Sequence, residues 1–346
     1  MSRTPRLDSA GMWEATCTWP GHLTGALEAA HRAVDASGAA AVEQVRAVVA
    51  CGVGTGGAAC AAAAALTSDQ LSVPFVVCHD PEVPRFVGPD CLVVVVACGA
   101  TPEAVAAARE STARGARVVG IGNDEELAGF AAGAGLPWCQ LGREGASGRA
   151  DFGPATVSIL GVLHTAGLLP DRSTEVHAAA EFLALRLDAF VAERGTAAEL
   201  ARRFGRTIPL VYGSSGIASV AARWWKSCVN LNAKTPAFAA ELPGLTYDEL
   251  AGWGQGGDIT RQTMTLVFLR HHGEPAPVPA LFESVRAATE EVMADVVEVW
   301  ADNRDALGSL FELALLGELV SLEMAAREGV DPGPAPTVEE AHAAPR

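Results

Sequence analysis

The stretch that decides the fold runs from Leu210 to Trp253: LVYGSSGIASVAARWWKSCVNLNAKTPAFAAELPGLTYDELAGW. An apolar strand enters a Gly-Ser turn at Gly213-Ser214, and a helix carries on through Trp225. A polar loop follows, and a short second helix closes on Gly252-Trp253. Strand, glycine turn and helix in that order make the βα unit of an open parallel sheet, in which ligands gather at the carboxyl ends of the strands.

The same pattern occurs earlier. Val48–Ala65 repeats the strand, glycine turn and helix of Leu210–Trp225, through the run CGVGTGGAACAAAAAL. Backbone N–H groups at such a helix start attract anions, and the glycines admit a ligand to the main chain. The run lacks the full dinucleotide fingerprint, so an ordinary tight turn is the competing reading. Strands are expected at Ala47–Ala50, Val73–Cys78, Leu92–Ala97, Arg117–Gly122 and Pro137–Leu141, alternating with helices. That alternation predicts a doubly wound parallel sheet. Thr101, Pro102 and Glu103 form a helix start by cap, ring and charge. A domain boundary is expected near Gly153, giving units 1–153 and 154–346. Ile208 opens the second α/β unit, with later strands at Met264–Arg270 and Val296–Trp300 and a long helix over Leu307–Arg327.

The formal net charge is −16. Nucleic acid and anionic membrane surfaces require clustered Lys and Arg, so neither is an expected partner. The eight cysteines form no C-x-x-C pair and no Cys/His spacing that suits zinc, so no metal and no cofactor is expected. The N-terminal residues offer no signal-peptide core, and no apolar run reaches about 18 residues. The reading is a cytoplasmic protein acting on a small molecule.

Several segments are more specific than their periodicity. GMWEA, VPFVVCHDPEVPRFVGPDCLVVV, YGSSGIASVAARWWK, NLNAKTPAF, TYDELAGW and GVDPGPAP together resemble the bifunctional phosphoglucose/phosphomannose isomerases, a branch of the sugar isomerase (SIS) superfamily. The resemblance runs over nearly the whole chain. It implies tandem SIS domains, each a five-stranded parallel sheet flanked by helices. It also implies a homodimer whose site is completed by the partner subunit near Tyr247.

The resemblance further implies where the chemistry should sit, and there the sequence departs from the pattern. The family's first phosphate turn carries Gly-Gly-Ser; here Gly56 stands at the serine, beside Thr55. The second turn, Ser-Tyr-Ser-Gly-Asn-Thr in the family, reads Val96-Ala97-Cys98-Gly99-Ala100-Thr101. Three hydroxyl donors are lost, at roughly 0.5–3 kcal/mol each. The family's glutamate base, in Asn-Glu-Asn-Ala-Lys, falls at Leu231 of Asn230-Leu231-Asn232-Ala233-Lys234, and leucine accepts no proton. Its ring-opening histidine, in Asn-His-Asn-Glu, falls at Tyr247 of Thr246-Tyr247-Asp248-Glu249, and its C-terminal lysine falls near His342. Arg149 stands where the family has an arginine near the reacting carbons.

The candidate catalytic residues are therefore Tyr247, Glu249, Arg149, Cys98 and His342, with Thr55, Gly56, Val96, Thr101, Asn230 and Leu231 lining the pocket. Packed or surface roles compete for each. Trp224 and Trp225 are not expected to share one core, and His271-His272 reads as a solvated strand end. Three functions stay open: a repurposed isomerase, cyclase or other proton-transfer enzyme; an aldose–ketose isomerase with substituted groups; and a non-catalytic sugar-phosphate-binding protein.

Overall fold

A computed structural model describes residues 7–36, 45–142 and 148–343. The chain divides into two compact units, Thr18–Phe182 and Leu183–Arg346, the latter joined by Met1–Cys17.

The first unit carries a five-stranded sheet, β1 (Ala47–Cys51), β2 (Phe75–Cys78), β3 (Cys91–Ala97), β4 (Arg117–Gly122) and β5 (Trp138–Gln140), ordered β2-β1-β3-β4-β5. Every pairing is parallel. β1 and β3 are wholly buried, as strands covered on both faces must be. Its helices are α2 (Leu23–Ala36), α3 (Gly54–Thr67), α4 (Pro102–Ala113), α5 (Glu125–Ala134) and α6 (Phe152–Thr165), while α1 (Met12–Thr18) falls through Cys17 in the other unit. Asp8 starts α1: its two carboxylate oxygens accept from the Met12 and Trp13 amides at 2.8 Å.

The expected boundary at 153/154 moves to 182/183, inside α7 (Ser173–Val191). The reason is α6, which packs on α2 and α3 instead of opening a new unit. Glycines make that contact close: a Cβ at Gly161 would lie 2.9 Å from that of Ala30.

The second unit carries β6 (Ile208–Ser214), β7 (Phe238–Leu242), β8 (Met264–Arg270) and β9 (Asp295–Trp300), ordered β7-β6-β8-β9 and all parallel. Its sheet thus has four strands among the described residues, not the expected five. The helices are α8 (Thr196–Phe204), α9 (Ile217–Asn232), α10 (Gly257–Thr263), α11 (Pro277–Thr289), α12 (Ala306–Glu328) and α13 (Pro336–Ala343). The βα repeat stands as expected: β1–α3 and β6–α9 are equivalent units.

Trp224 and Trp225 are both buried, contrary to the expectation. Their partner is α12, which is apolar nearly all round and packs against α9 and α8. Trp224 donates to Glu318 Oε1 at 2.8 Å and Trp225 to the Leu313 carbonyl at 2.7 Å. A Cβ at Gly317 would stand 2.3 Å from the Trp225 ring, so the glycine makes the second seat. Two adjacent indoles share one core because each N–H finds an acceptor on the same helix. No helix among the described residues is long and apolar enough to cross a membrane.

Candidate functional site

In the first unit the strand order reverses between β1 and β3, so the crevice at their carboxyl ends is the expected ligand position. The β1–α3 and β3–α4 turns meet there. A Cβ placed on Gly56 would lie 2.5 Å from the Val96 carbonyl oxygen, and one on Gly57 would lie 2.7 Å from the Gly52 oxygen and 2.9 Å from His79 Nδ1. His79 Nδ1 itself bonds the Gly52 carbonyl at 2.8 Å. These glycines serve close packing of turn on strand. Thr55 is buried, and its hydroxyl makes no hydrogen bond among the described residues. Val96 does not line the crevice as expected: it is fully buried within β3.

The second turn has filled its own donors. The Gly99 amide donates to Asn123 Oδ1 at 2.6 Å and the Thr101 amide to Asp124 Oδ2 at 3.0 Å. The Thr101 hydroxyl, expected to cap α4, donates instead to the Gly99 carbonyl at 2.8 Å. Asp124 also caps α5 by accepting from the Leu127 amide. Beside the turn opens a cleft of about 550 Å³, lined by Ala100, Thr101, Pro102, Asn123, Asp124, Glu125 and Glu126. Three of these bear carboxylates and none is basic.

Cys98 is half-buried at the end of β3. Burial, with the Asp151 carboxylate adding to it, pushes its pKa far up, so the thiolate is suppressed. Gly148 lies on this turn, its Cβ position 2.7 Å from the Cys98 carbonyl carbon, and Arg149 follows it half-buried. Asp151 accepts from Asn123 Nδ2 at 3.0 Å, and burial raises its pKa to about 6. That shift has a sign. The folded state holds the proton more tightly than an unfolded carboxyl near 3.8, so ionising Asp151 removes stability as pH rises from about 4 through 6. Asp151→Asn is expected to stabilise the protein above pH 6, by up to about 3 kcal/mol, and to leave it unchanged near pH 4. Chemical denaturation at the two pH values checks this.

In the second unit the order reverses between β6 and β8. Here the expectation for His271 fails. It is buried, and burial lowers its pKa. Its Nδ1 accepts from the Gly273 amide at 3.2 Å, which puts the proton on Nε2, 3.3 Å from Ser214 Oγ. A neutral donor in this tautomer orients the serine but does not deprotonate it. Position was the missed signal: His271 directly follows β8 at the reversal. The preceding Arg270 is buried with Glu274, also pairs with the more exposed Glu298, and stacks over Phe282 and Trp300.

Leu231 and Tyr247 are not brought together within one chain. Leu231 is half-exposed at the end of α9, which runs antiparallel to the strands and so places it at the amino edge of the sheet. Tyr247 follows β7 at the carboxyl edge and is 88% exposed. Lys234 bonds the Leu231 and Pro332 carbonyls, tying down its loop as a structural residue would. Asn232 bonds Ser321, while Asn230 Oδ1 is buried and makes no hydrogen bond among the described residues. Glu249 turns inward toward the buried Tyr212 hydroxyl, with Trp253 Nε1 buried beside it. Burial raises the Glu249 pKa, and the charge of Asp248 adds to the rise. His342 falls in α13, and its side chain lies outside the described residues.

Residues 193–343 match the family model described as bacterial phospho-glucose isomerase C-terminal SIS domain. Bifunctional phosphoglucose/phosphomannose isomerases are similar over most of their length. The one from Caldicellulosiruptor bescii is 24% identical over 277 residues, covering 78% of this chain and 81% of that protein. The one from Aquifex aeolicus is 27% identical over 296 residues, covering 84% and 88%. Among solved structures, the C-terminal domain of glucosamine-fructose-6-phosphate aminotransferase from Francisella tularensis superposes with a TM-score of 0.70 at 15% identity, covering 92% of this chain and 96% of that one. A hypothetical protein from Thermus thermophilus gives 0.68 at 17%, covering 96% and 89%. At these identities the structures carry the fold alone.

Proposed function

We infer that this chain, which over residues 193–343 resembles the bacterial phosphoglucose isomerase C-terminal SIS domain, is an isomerase-type enzyme repurposed toward a less anionic metabolite. The reaction class is a proton-transfer isomerisation or cyclisation.

The observation that carries this reading is the self-satisfied second turn. The Gly99 amide, the Thr101 amide and the Thr101 hydroxyl are all committed to internal acceptors. A phosphate dianion needs several charge-assisted donors at once, and here it would have to displace the Asp124 carboxylate to obtain them. Glu125 and Glu126 at the rim oppose it further. A neutral or cationic substrate meets neither obstacle. Glu249, with its raised pKa, supplies the group that holds and returns a proton. Tyr247, exposed on its own chain, completes a site in a second copy, so the working unit is a homodimer.

Binding tests the reading. Fructose 6-phosphate, glucose 6-phosphate or mannose 6-phosphate at about 1 mM is expected to leave the melting temperature unchanged. A ligand at a hundred times its Kd would instead add about 2.7 kcal/mol, a rise of several degrees. A rise without turnover would make the protein a sugar-phosphate sensor. A rise with turnover would restore the activity that the names of the relatives carry.

A further inference from the structure

The first unit holds a second cavity, of about 300 Å³, whose walls include Gly21, His22, Gly25, Ala29, Leu141 and Asp151. It shares no lining residue with the acidic cleft, although Asn123 of that cleft donates to Asp151. The 3-10 turn Trp19–His22 and α2 supply one wall, and small residues there leave the room: a Cβ at Gly21 or Gly25 would meet nothing within 4 Å. Its volume is at the small end of ligand pockets.

Asp151 gives the cavity its chemistry. The residue is 7% exposed. It occupies the N-cap position of α6 yet makes no capping bond, so its carboxylate forgoes the donors at that helix end. One oxygen, Oδ2, accepts from Asn123 Nδ2; Oδ1 accepts no hydrogen bond among the described residues, and no cation pairs with the group there. Gly142 admits this approach, its Cβ position 3.3 Å from Oδ2. A buried carboxylate without a counter-charge costs stability, and an alanine or asparagine would avoid the cost. A buried carboxylate lining a cavity without a counter-charge is a candidate contact for a ligand that brings one.

We propose that this cavity binds a small primary amine, its ammonium on Asp151 Oδ1 and its alkyl body against Ala29 and Leu141. An organic ammonium brings the missing charge and donors, and the apolar walls take its carbons. An organic anion would meet an unpaired carboxylate. The inference stands apart from the reading of the acidic cleft, and an unexpected sugar-phosphate result would leave it intact.

Calorimetry on the full chain with n-butylamine, and with n-butanol as the neutral isostere, tests it. The amine binds at pH 8 and at least tenfold more tightly than the alcohol. Its affinity falls about tenfold at pH 5, where Asp151 carries a proton. The other titratable groups around are His22 on the facing turn, Cys98 on the β3–α4 turn and Arg149 beside Asp151. Asp151→Asn therefore both weakens the amine at least tenfold at pH 8 and flattens the pH profile. Ala29→Leu, which fills the cavity and keeps the carboxylate, also abolishes binding. The proposal is overturned by wild-type protein that ignores the amine, by equal affinity for amine and alcohol, by unchanged binding in either variant, or by a pH profile that survives Asp151→Asn.

Discussion

Gly56→Ser lowers the melting temperature by about 5–10 °C and creates no phosphate site. The substitution restores the residue that the resemblance implies at the first turn, so a simple view of lost donors would expect it to recover binding. The geometry opposes that view. Any Cβ at Gly56 starts 2.5 Å from the Val96 carbonyl oxygen and 3.4 Å from the Val96 Cβ. Both belong to the central strand of a buried parallel sheet and cannot swing aside as a surface side chain would. Relief requires the turn to lift off β3, which breaks the packing of Gly52 and Gly57 as well. Overpacking of this kind costs about 2–3 kcal/mol. Gly54→Asn is the internal control: Gly54 sits at φ +55° with open space around its Cβ position, a conformation asparagine tolerates. It should melt within about 2 °C of wild type. If Gly56→Ser melts like the control and gains affinity for fructose 6-phosphate, the turn is not closed and the serine was lost for another reason.

That closure also explains what the sequence could and could not tell. The glycine run CGVGTGG read equally well as a ligand loop or a tight turn, because glycine serves both. Only the distance to Val96 separates them, and Val96 lies in another strand. The strands themselves were legible, since VVVVA and AVVAC are continuous apolar runs of the kind a doubly covered sheet requires. β7 was not: FAAEL is short, lies at the sheet edge and leaves Phe238 exposed, so no apolar run marked it. The boundary moved for a similar reason. The apolar helix after Gly153 was visible, but its preference for α2 and α3 depends on glycine contacts that have no periodic signature. At the site, the sequence identified the altered residues from the resemblance. It could not show that Asp124 and Asn123, more than twenty residues beyond the second turn, had taken over its amides.

The other large effect concerns rate. We expect any fructose 6-phosphate isomerisation by the wild-type chain to lie at least about 10²–10⁴ below what the family mechanism would supply, because leucine stands at the position of the base. The informative variant is Leu231→Glu. If the base were all that is missing, this one change would recover that factor. We expect less than tenfold, because the phosphate that must anchor the sugar would still face a turn whose donors are committed. Freeing the Thr101 amide is thus a precondition for the base to matter. Adding Asp124→Ala to Leu231→Glu should raise the rate further than either change alone, at a stability cost of about 1–2 kcal/mol from the lost α5 cap. A coupled assay across the four proteins decides. A large gain from Leu231→Glu alone would place the whole deficit at the base and refute the closed phosphate turn. Ordinary wild-type turnover would mean that another carboxylate has replaced it, and Glu249→Gln would then show whether that residue is the one.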